Sequence, residues 1–511
     1  MRRFKSGGGS GLVVGRSKRI HKRAARAIES LEQRYLLANF SPIAAAADGA
    51  ANSLRAAIIA SNSNGQNDTI FLQAGTYNLT LPNLAGQENN SATGDLDLKE
   101  ANKTVTLQGA GAAATFINAN LIDRAFQVFN NVTVVLKNLT IANGRARDDG
   151  TAGASTTSTN ALGGGILNQG GKVTIQDSTL FNNTALGADG PSTAVNGRNA
   201  AGGGVLSAAG SLTIKNSLLD QNSAAGGAGH IGSAGGNGTF GGTAQGGGIN
   251  VIGGSLTIIG ATFSSNLARG GAGGAGGAGG LGIGGNGGSG GFAGGGAIST
   301  LVVMSMVNST ISNNAATGGA GGAGGGSDDD NGGNGGGGGS AFGGGINTIR
   351  ALNLNNNVVT GNIATAGNGG NGGGTEFGIG GNGGGGGSVF GGGISGSAGV
   401  TLNNFTFTDN TARPGSGGFG GSSDEDNAGN GGNAGLGRGG AIYNGGGGPV
   451  TLVNVTFDQN EVFPAAGGNG GLGAALGGDG GNGSGAAGGA LFSDGVTAIT
   501  NVTFTLNRAR G

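Results

Sequence analysis

The chain is 511 residues long, with 128 glycines, 26 basic and 26 acidic residues, two histidines and no cysteine or tryptophan. No disulfide framework, thiolate metal site or cysteine nucleophile is available, and His21 and His230, each alone, support neither a histidine-based triad nor a His-rich metal site. A composition that is about a quarter glycine warns by itself of low complexity, so order in this chain has to be sought in its periodicity.

Residues 1–38 carry ten of the Lys/Arg residues against Glu29 and Glu32, and read as a basic export or targeting segment. Ile20, Ala24, Ile28, Leu31 and Tyr35 recur at helical spacing with basic residues between them. A basic amphipathic helix or tail with no export role is the other reading of the same pattern. Leu31-Glu32-Gln33-Arg34-Tyr35-Leu36-Leu37 resembles the LEPR-x-LL segment at the front of many large bacterial surface proteins, with Gln33 in place of the proline. That resemblance implies secretion or surface display and says nothing about chemistry. The rest of the chain is mildly acidic, which speaks against a nucleic-acid partner. No run reaches the ~18 apolar residues of a transmembrane helix, and no outer-membrane barrel pattern comes after the repeats.

Residues 39–150 read as an N-terminal cap and the first coils of a solenoid. Ser53 through Ile59 predicts a short helix. Asp68–Leu72, Gly75–Leu79, Thr104–Leu107, Phe126–Phe129 and Val132–Leu136 predict strands. A helix at this place answers a physical need, because the open end of a stacked sheet exposes apolar side chains and unpaired backbone groups. Asn138 through Asn143 is a degenerate first copy of the repeat that fills residues 151–511.

Residues 151–511 read as eight repeats. Leu180, Leu219, Phe263, Ile311, Val359, Phe407, Phe457 and Phe504 are each followed three residues later by asparagine: Asn183, Asn222, Asn266, Asn314, Asn362, Asn410, Asn460 and Asn507. Those asparagines lie 39, 44, 48, 48, 48, 50 and 47 residues apart. A near-fixed period of this size signals one supersecondary unit stacked on copies of itself. Within a unit, three very short strands are expected, in the second at Val205-Leu206, Ser211–Ile214 and Ser217–Leu219. β-branched residues dominate these runs and no 3.6-residue stripe appears. The expected fold is therefore all-β, a right-handed parallel β-helix of roughly a dozen coils, the hand following the general rule for parallel crossovers.

In such a rod equivalent positions sit about 4.8 Å apart and form columns. The Phe/Leu/Ile/Val position gives one apolar column, and the residue after the glycines gives another. Asparagine forms two more. One follows the anchor, and one precedes it at Asn138, Asn216, Asn308, Asn356, Asn404, Asn454 and Asn501. Asparagine tolerates the left-handed backbone of a sharp corner, and its amide both donates and accepts, so stacked copies are expected to form ladders.

The pairing of GGA-[ILV] with FxxN resembles the repeat signature of the polymorphic outer-membrane proteins. Gly295-Gly296-Ala297-Ile298, Gly439-Gly440-Ala441-Ile442 and Gly488-Gly489-Ala490-Leu491 keep the alanine, and Phe263, Phe407, Phe457 and Phe504 keep the aromatic anchor. The resemblance covers residues 160–511 and implies a β-helical surface passenger with an adhesive or structural role. That family carries a C-terminal translocating barrel. Here the sequence stops at Gly511 straight after a repeat, so self-driven autotransport is not expected.

The glycine-rich insertions, such as 270–291 and 367–387, leave the coil at one corner and must lie side by side. Two arrangements remain open from the residues: a packed layer of extended three-residue-per-turn helices, or loose loops. Asp220, Asp409 and Asp458 lie near the anchor column without a basic partner in sequence. Asp328-Asp329-Asp330 and Asp424-Glu425-Asp426 read as solvated turns more than as calcium loops. The resulting expectation is a secreted, cell-surface or outer-membrane protein acting in adhesion or envelope structure. It is expected not to be an enzyme, with no catalytic, metal or cofactor residues and no cofactor. Surface glycans or other envelope proteins are the expected partners; nucleic acid and a transmembrane segment are not expected, and oligomeric state is left open. A carbohydrate-active β-helix enzyme, a polysaccharide lyase or hydrolase, is the alternative.

Overall fold

Each of the eight repeats turns on a glycine pair. In the computed structural model, which describes residues 7–9 and 38–511, the first glycine of each Gly-Gly-x corner is left-handed, with φ +66° at Gly163 and +72° at Gly439. A Cβ on the second would overlap the backbone of the next coil, as Gly164 would meet the carbonyl of Gly203. The third position is less crowded than the second but still close, a Cβ on Gly345 lying 2.9 Å from the Gly393 carbonyl, and Ala297, Ala441 and Ala490 occupy it in three of the repeats. The basic segment and its LEPR-x-LL-like stretch lie outside the described residues.

From that corner the chain lays down a parallel β-helix. One coil runs through Val205–Ser207, Ser211–Lys215, Leu218–Asp220, Ser223–Ala225 and, after an insertion, Ala244–Gln245. Each strand pairs in parallel with its counterpart in the neighbouring coils, for example Leu219 with Leu180 and Phe263. The result is four parallel sheets of 19, 10, 9 and 8 strands. The three strands expected per coil are present, and two further short ones flank the insertion. Twelve rungs stack in the 19-stranded sheet, in line with the dozen coils expected, and ten of them also contribute to the ten-stranded sheet, the opening strands Ala38–Phe40 and Asp68–Phe71 joining the larger sheet alone. The expected helix is Leu54–Ser61, N-capped by Ser53, whose side chain accepts from the Ala56 N–H. It buries Leu54 and Ile58 against the first coil.

The apolar columns form one continuous core. Phe407 and Phe457 stack at 5.0 Å with ring planes 10° apart, and Phe457 stacks on Phe504 at 5.0 Å. The two asparagine columns serve different ends. Asn216, Asn308, Asn356, Asn404, Asn454 and Asn501 are left-handed corner residues, and the exposed amides of the last four chain together, as Asn404 to Asn356 at 2.9 Å. The column after the anchor is not left-handed. There the residue before it takes the positive φ, as at Asn313, Asp409, Gln459 and Leu506. The asparagine itself is buried and its Nδ2 donates to the Oδ1 of the next coil at 2.9–3.0 Å, from Asn183 through Asn460 to Asn507.

Leu506 is the outlier of that corner column, a leucine at φ +51°. Left-handed backbone costs most residues about 1–2 kcal/mol, and asparagine much less. Leu506→Asn is therefore expected to stabilise the last coil by about 1 kcal/mol, measured as a raised denaturation midpoint. An unchanged or lowered midpoint would show that the corner is not strained.

The insertions are ordered, and they form the packed layer. Residues 270–279 run outward and 284–291 return, with a hydrogen bond at every third residue in each of several directions. Gly270, Gly273 and Gly276 donate to Thr317, Ala320 and Ala323 of the next coil at 2.8–2.9 Å; Gly271, Gly274 and Gly277 donate to Gly242, Thr239 and Gly236 of the preceding coil. Gly285, Gly288 and Gly291 donate back to Gly277, Gly274 and Gly271 of their own outward leg. This is the three-residue repeat of an extended polyglycine helix, bonded on several sides into a wing. In the return legs an asparagine column adds side-chain acceptors: Asn334, Asn382 and Asn430 N–H groups donate to Asn286, Asn334 and Asn382 Oδ1 at 2.8 Å. At the wing root the nine- and eight-stranded sheets pack face to face through buried alanines such as Ala185, Ala200, Ala224 and Ala244.

Candidate functional site: a charged cleft at the wing root

The wing meets the body of the rod at two re-entrant corners, one on each side of its root. On the side of the ten-stranded sheet, Phe292, Phe342, Phe390, Tyr443 and Phe492 form an aromatic file with centroid spacings of 6.2, 5.3, 4.8 and 5.5 Å. Phe342 and Phe390, and Tyr443 and Phe492, are stacked with planes 19° and 18° apart, whereas Phe390 and Tyr443 are tilted by 46°. The file packs along the axis, and beside Phe292 and Phe342 it borders an open, largely apolar pocket of about 480 Å³ that holds no charged side chain.

The opposite corner lies between the 19-stranded and nine-stranded sheets, and there the last coils bring charge together. Asp409, Thr411, Arg413, Gln459, Glu461, Phe463, Leu506 and Arg508 line an open cleft of about 330 Å³. The positions arise from the repeat. Residues one before, one after and three after the ladder asparagine stand in columns along this corner. In the coil of Asn410 they are Asp409, Thr411 and Arg413; in that of Asn460, Gln459, Glu461 and Phe463; in that of Asn507, Leu506, Arg508 and Arg510. Strand pairing sets Glu461 beside Thr411 on one side and Arg508 on the other.

The cleft is held by mixed interactions. The Glu461 carboxylate pairs with Arg510 Nε. The Arg413 guanidinium lies 4.1 Å from the Phe463 ring centroid and that of Arg510 5.5 Å, so one ring is shared by two cations. The ladder beneath fixes the backbone: Glu461 N–H donates to the Asn410 carbonyl and Arg508 N–H to that of Asn460, both at 2.9 Å. Two carboxylates, Asp409 and Glu461, and two guanidiniums, Arg413 and Arg508, thus line one open space on a rigid support, a charge pattern that suits an anionic ligand.

Of the acids singled out in the sequence, Asp409 lines the cleft. Asp458 stands next to it in the rod, beside Thr408 and Thr505. Asp220 lies several coils away, paired with Phe181 and Ser264. Asp328–Asp330 and Asp424–Asp426 sit in turns at the wing tip, far along the insertions from its root. His230 is also in the wing, with Nδ1 2.6 Å from the Ile231 carbonyl. Among the described residues no group of three or more His, Cys, Asp or Glu is placed to hold a metal ion. The cations of the cleft are absent from the sequence reading, although their fixed offset from the ladder asparagine is the signal that finds them.

No family model matches the chain, so the repeat resemblance to polymorphic outer-membrane proteins has no family model behind it. No curated protein matches it. Two solved structures are similar to it. One is pectin methylesterase PemA from Erwinia chrysanthemi, at 12% identity and a TM-score of 0.26, over 63% of this chain and 78% of that one. The other is a PL6 alginate lyase in complex with trisaccharide, at 10% identity and a TM-score of 0.27, over 92% of this chain and 84% of that one. Likeness at this level assigns no residue a role. The expectation that this chain is not an enzyme is withdrawn: the two similar structures are a methylesterase and a lyase, and at this level of likeness they assign this chain no activity. Arg413 and Arg508 line the same cleft as Asp409, a proximity that spacing along the chain does not show. No helix among the described residues is long and apolar enough to cross a membrane. What stands is a parallel β-helix with an ordered glycine-rich wing and a cleft of mixed charge at its root.

Proposed function

We propose that this chain is a carbohydrate-active β-helix that acts on an acidic polysaccharide in the cleft between the 19-stranded and nine-stranded sheets. The observation that supports it is the grouping of Asp409 and Glu461 with Arg413 and Arg508 around one open space. The guanidinium fork matches a carboxylate geometrically and suits uronate or sulfate groups on a polymer. Paired carboxylates are the usual acid and base of glycosidic bond cleavage. An open corner, rather than a closed pocket, admits a chain that continues on both sides. An extracellular setting fits such a polymer and fits the export-like segment at residues 31–37.

Incubation of the intact protein with polygalacturonate, alginate and sulfated polysaccharides tests this, with new reducing or unsaturated ends as the readout. Chain cleavage is expected, and Asp409→Asn or Glu461→Gln should lower the rate by about 100-fold or more. Arg508→Ala should mainly raise KM. Binding without cleavage of any acidic polymer, or cleavage indifferent to both carboxylate substitutions, would overturn the proposal.

A further inference from the structure

At the far end of the rod from the cleft, the first coils bury an excess of negative charge that the proposed activity does not use. Arg124, fully buried, has Asp95, Asp123 and Asp148 around it, at 3.4, 3.6 and 2.6 Å. Asp97 is buried on the adjoining strand; its Oδ2 accepts from the Ser91 N–H at 2.6 Å, and its Oδ1 has no partner. Four carboxylates therefore stand with one enclosed guanidinium. The other charged groups facing them are Glu88 and Lys99, both beside Asp97. The Arg55–Asp48 ion pair of the cap lies below; Arg55 also donates to the carbonyls of Ser91, Thr93, Gly94 and Asp95.

Two segments close over this cluster. The stretch 81–94 supplies Gln87, whose Nε2 donates to Asp95 Oδ1, and Asn83, whose Nδ2 donates to Asp123 Oδ2. The stretch 148–160 supplies Asp148 and Gly150, whose carbonyl accepts from Gln127 Nε2. The two are tied to each other by backbone bonds, Gly153 N–H to the Gln87 carbonyl at 2.7 Å and Gln87 N–H to that of Ala154 at 3.1 Å. Beneath them the outward side chains of the ten-stranded sheet, Gln127 and Leu167, are wholly covered.

We infer that these two segments form an acid-fastened latch, closed over the first coils while the buried carboxylates around Arg124 share protons and loosened as they ionise. Burial pushes Asp95 up to about 7, its largest cause being desolvation, with Arg124 opposing. Asp97 is likewise raised to about 7, chiefly by desolvation, and Asp123 is raised for the same reason. The folded state thus binds protons that an unfolded aspartate, at about 3.9, has already released. Its closure is strongest below that lower value and weakens as pH rises toward 7 and above.

Hydrogen exchange of the intact protein, corrected for intrinsic rates, tests this from about pH 5 to about pH 8. Protection of 81–94 and 148–160 is expected to fall, by about tenfold per pH unit for each proton released, while 270–291 in the wing holds constant. The double substitution Asp95→Asn with Asp97→Asn should flatten the fall. In the wild-type chain a protonated-carboxyl infrared band should persist near neutral pH, which needs no variant to fold. Protection that is level or rises with pH, an equal fall in the wing, or absence of the carboxyl band at pH 6 would overturn the inference.

Discussion

Asn362→Ala is expected to cost the solenoid about 3 kcal/mol, because it strands groups that have no access to water. Asn362 is fully buried. Its Oδ1 accepts both the backbone N–H and the Nδ2 of Asn314, at 3.0 Å each. Its own Nδ2 donates to Asn410 Oδ1 and to the Ile311 carbonyl. Alanine leaves the Asn314 N–H and the Ile311 carbonyl without these partners, and each orphaned group carries about 1–3 kcal/mol of desolvation. Asn404 is the internal control. It makes an amide bond of the same length, but at the exposed corner and with φ +54°. Asn404→Gly keeps the left-handed corner and is expected to stay within about 0.5 kcal/mol of the parent. Urea denaturation of both variants measures the contrast. Equal effects would show that the buried ladder contributes no more than a surface turn.

Gly322→Ala should open the wing locally and cost about 3 kcal/mol, the upper end for forcing a methyl group into a packed interior. Gly322 donates to the Gly288 carbonyl and accepts from Gly336 N–H, both at 2.8 Å. A Cβ there would overlap the carbonyl of Gly274. Gly337 occupies the third position of a triplet in the same layer. Its nearest neighbours to an added Cβ are the Gly385 carbonyl and Ser289 Oγ, each at 3.7 Å, so Gly337→Ala should change stability by less than about 0.5 kcal/mol. Hydrogen exchange over 270–291 with thermal unfolding distinguishes the two. If both alanines were tolerated, the legs would not be held by backbone contact, and the polyglycine packing would be wrong.

These variants separate what a repeat makes legible from what it hides. The anchors are legible because a column repeats the same demand in every coil: Phe407 and Phe457 must both fill the interior, so both are apolar at one offset. Of the two asparagine columns, the bonding is legible and the conformation is not. The buried column forms its ladder throughout and the exposed one from Asn356 to Asn501, but in the buried column the left-handed conformation falls on the preceding residue, where Asn313, Gly361, Asp409, Gln459 and Leu506 vary in type too much to stand out as a column. Strands such as Leu96–Leu98 and Thr115–Asn118 escape the reading because the first coils have no regular period to compare them with.

The cleft is hidden for a different reason. Arg413, Glu461 and Arg508 are about 50 residues apart from one coil to the next and look isolated along the chain. Stacking brings them to neighbouring rungs, and a charge at a column position has meaning only beside the charges above and below it. The buried Arg124 cluster is hidden in the same way, drawing Asp95, Asp123 and Asp148 from separate turns of the first coils.

The sequence by itself determined a parallel β-helix, because periodic apolar and amide positions leave no other arrangement that buries the one and bonds the other. It also determined that the insertions emerge at one corner, since they interrupt every unit at the same place. Whether those insertions pack, and which acids meet which bases, only the tertiary structure decided. Glycine carries no side chain to announce a partner, so the wing exists through backbone bonds between coils. The electrostatics of the cleft and of the buried cluster likewise depend on separations of a few ångströms that arise when the coils are stacked.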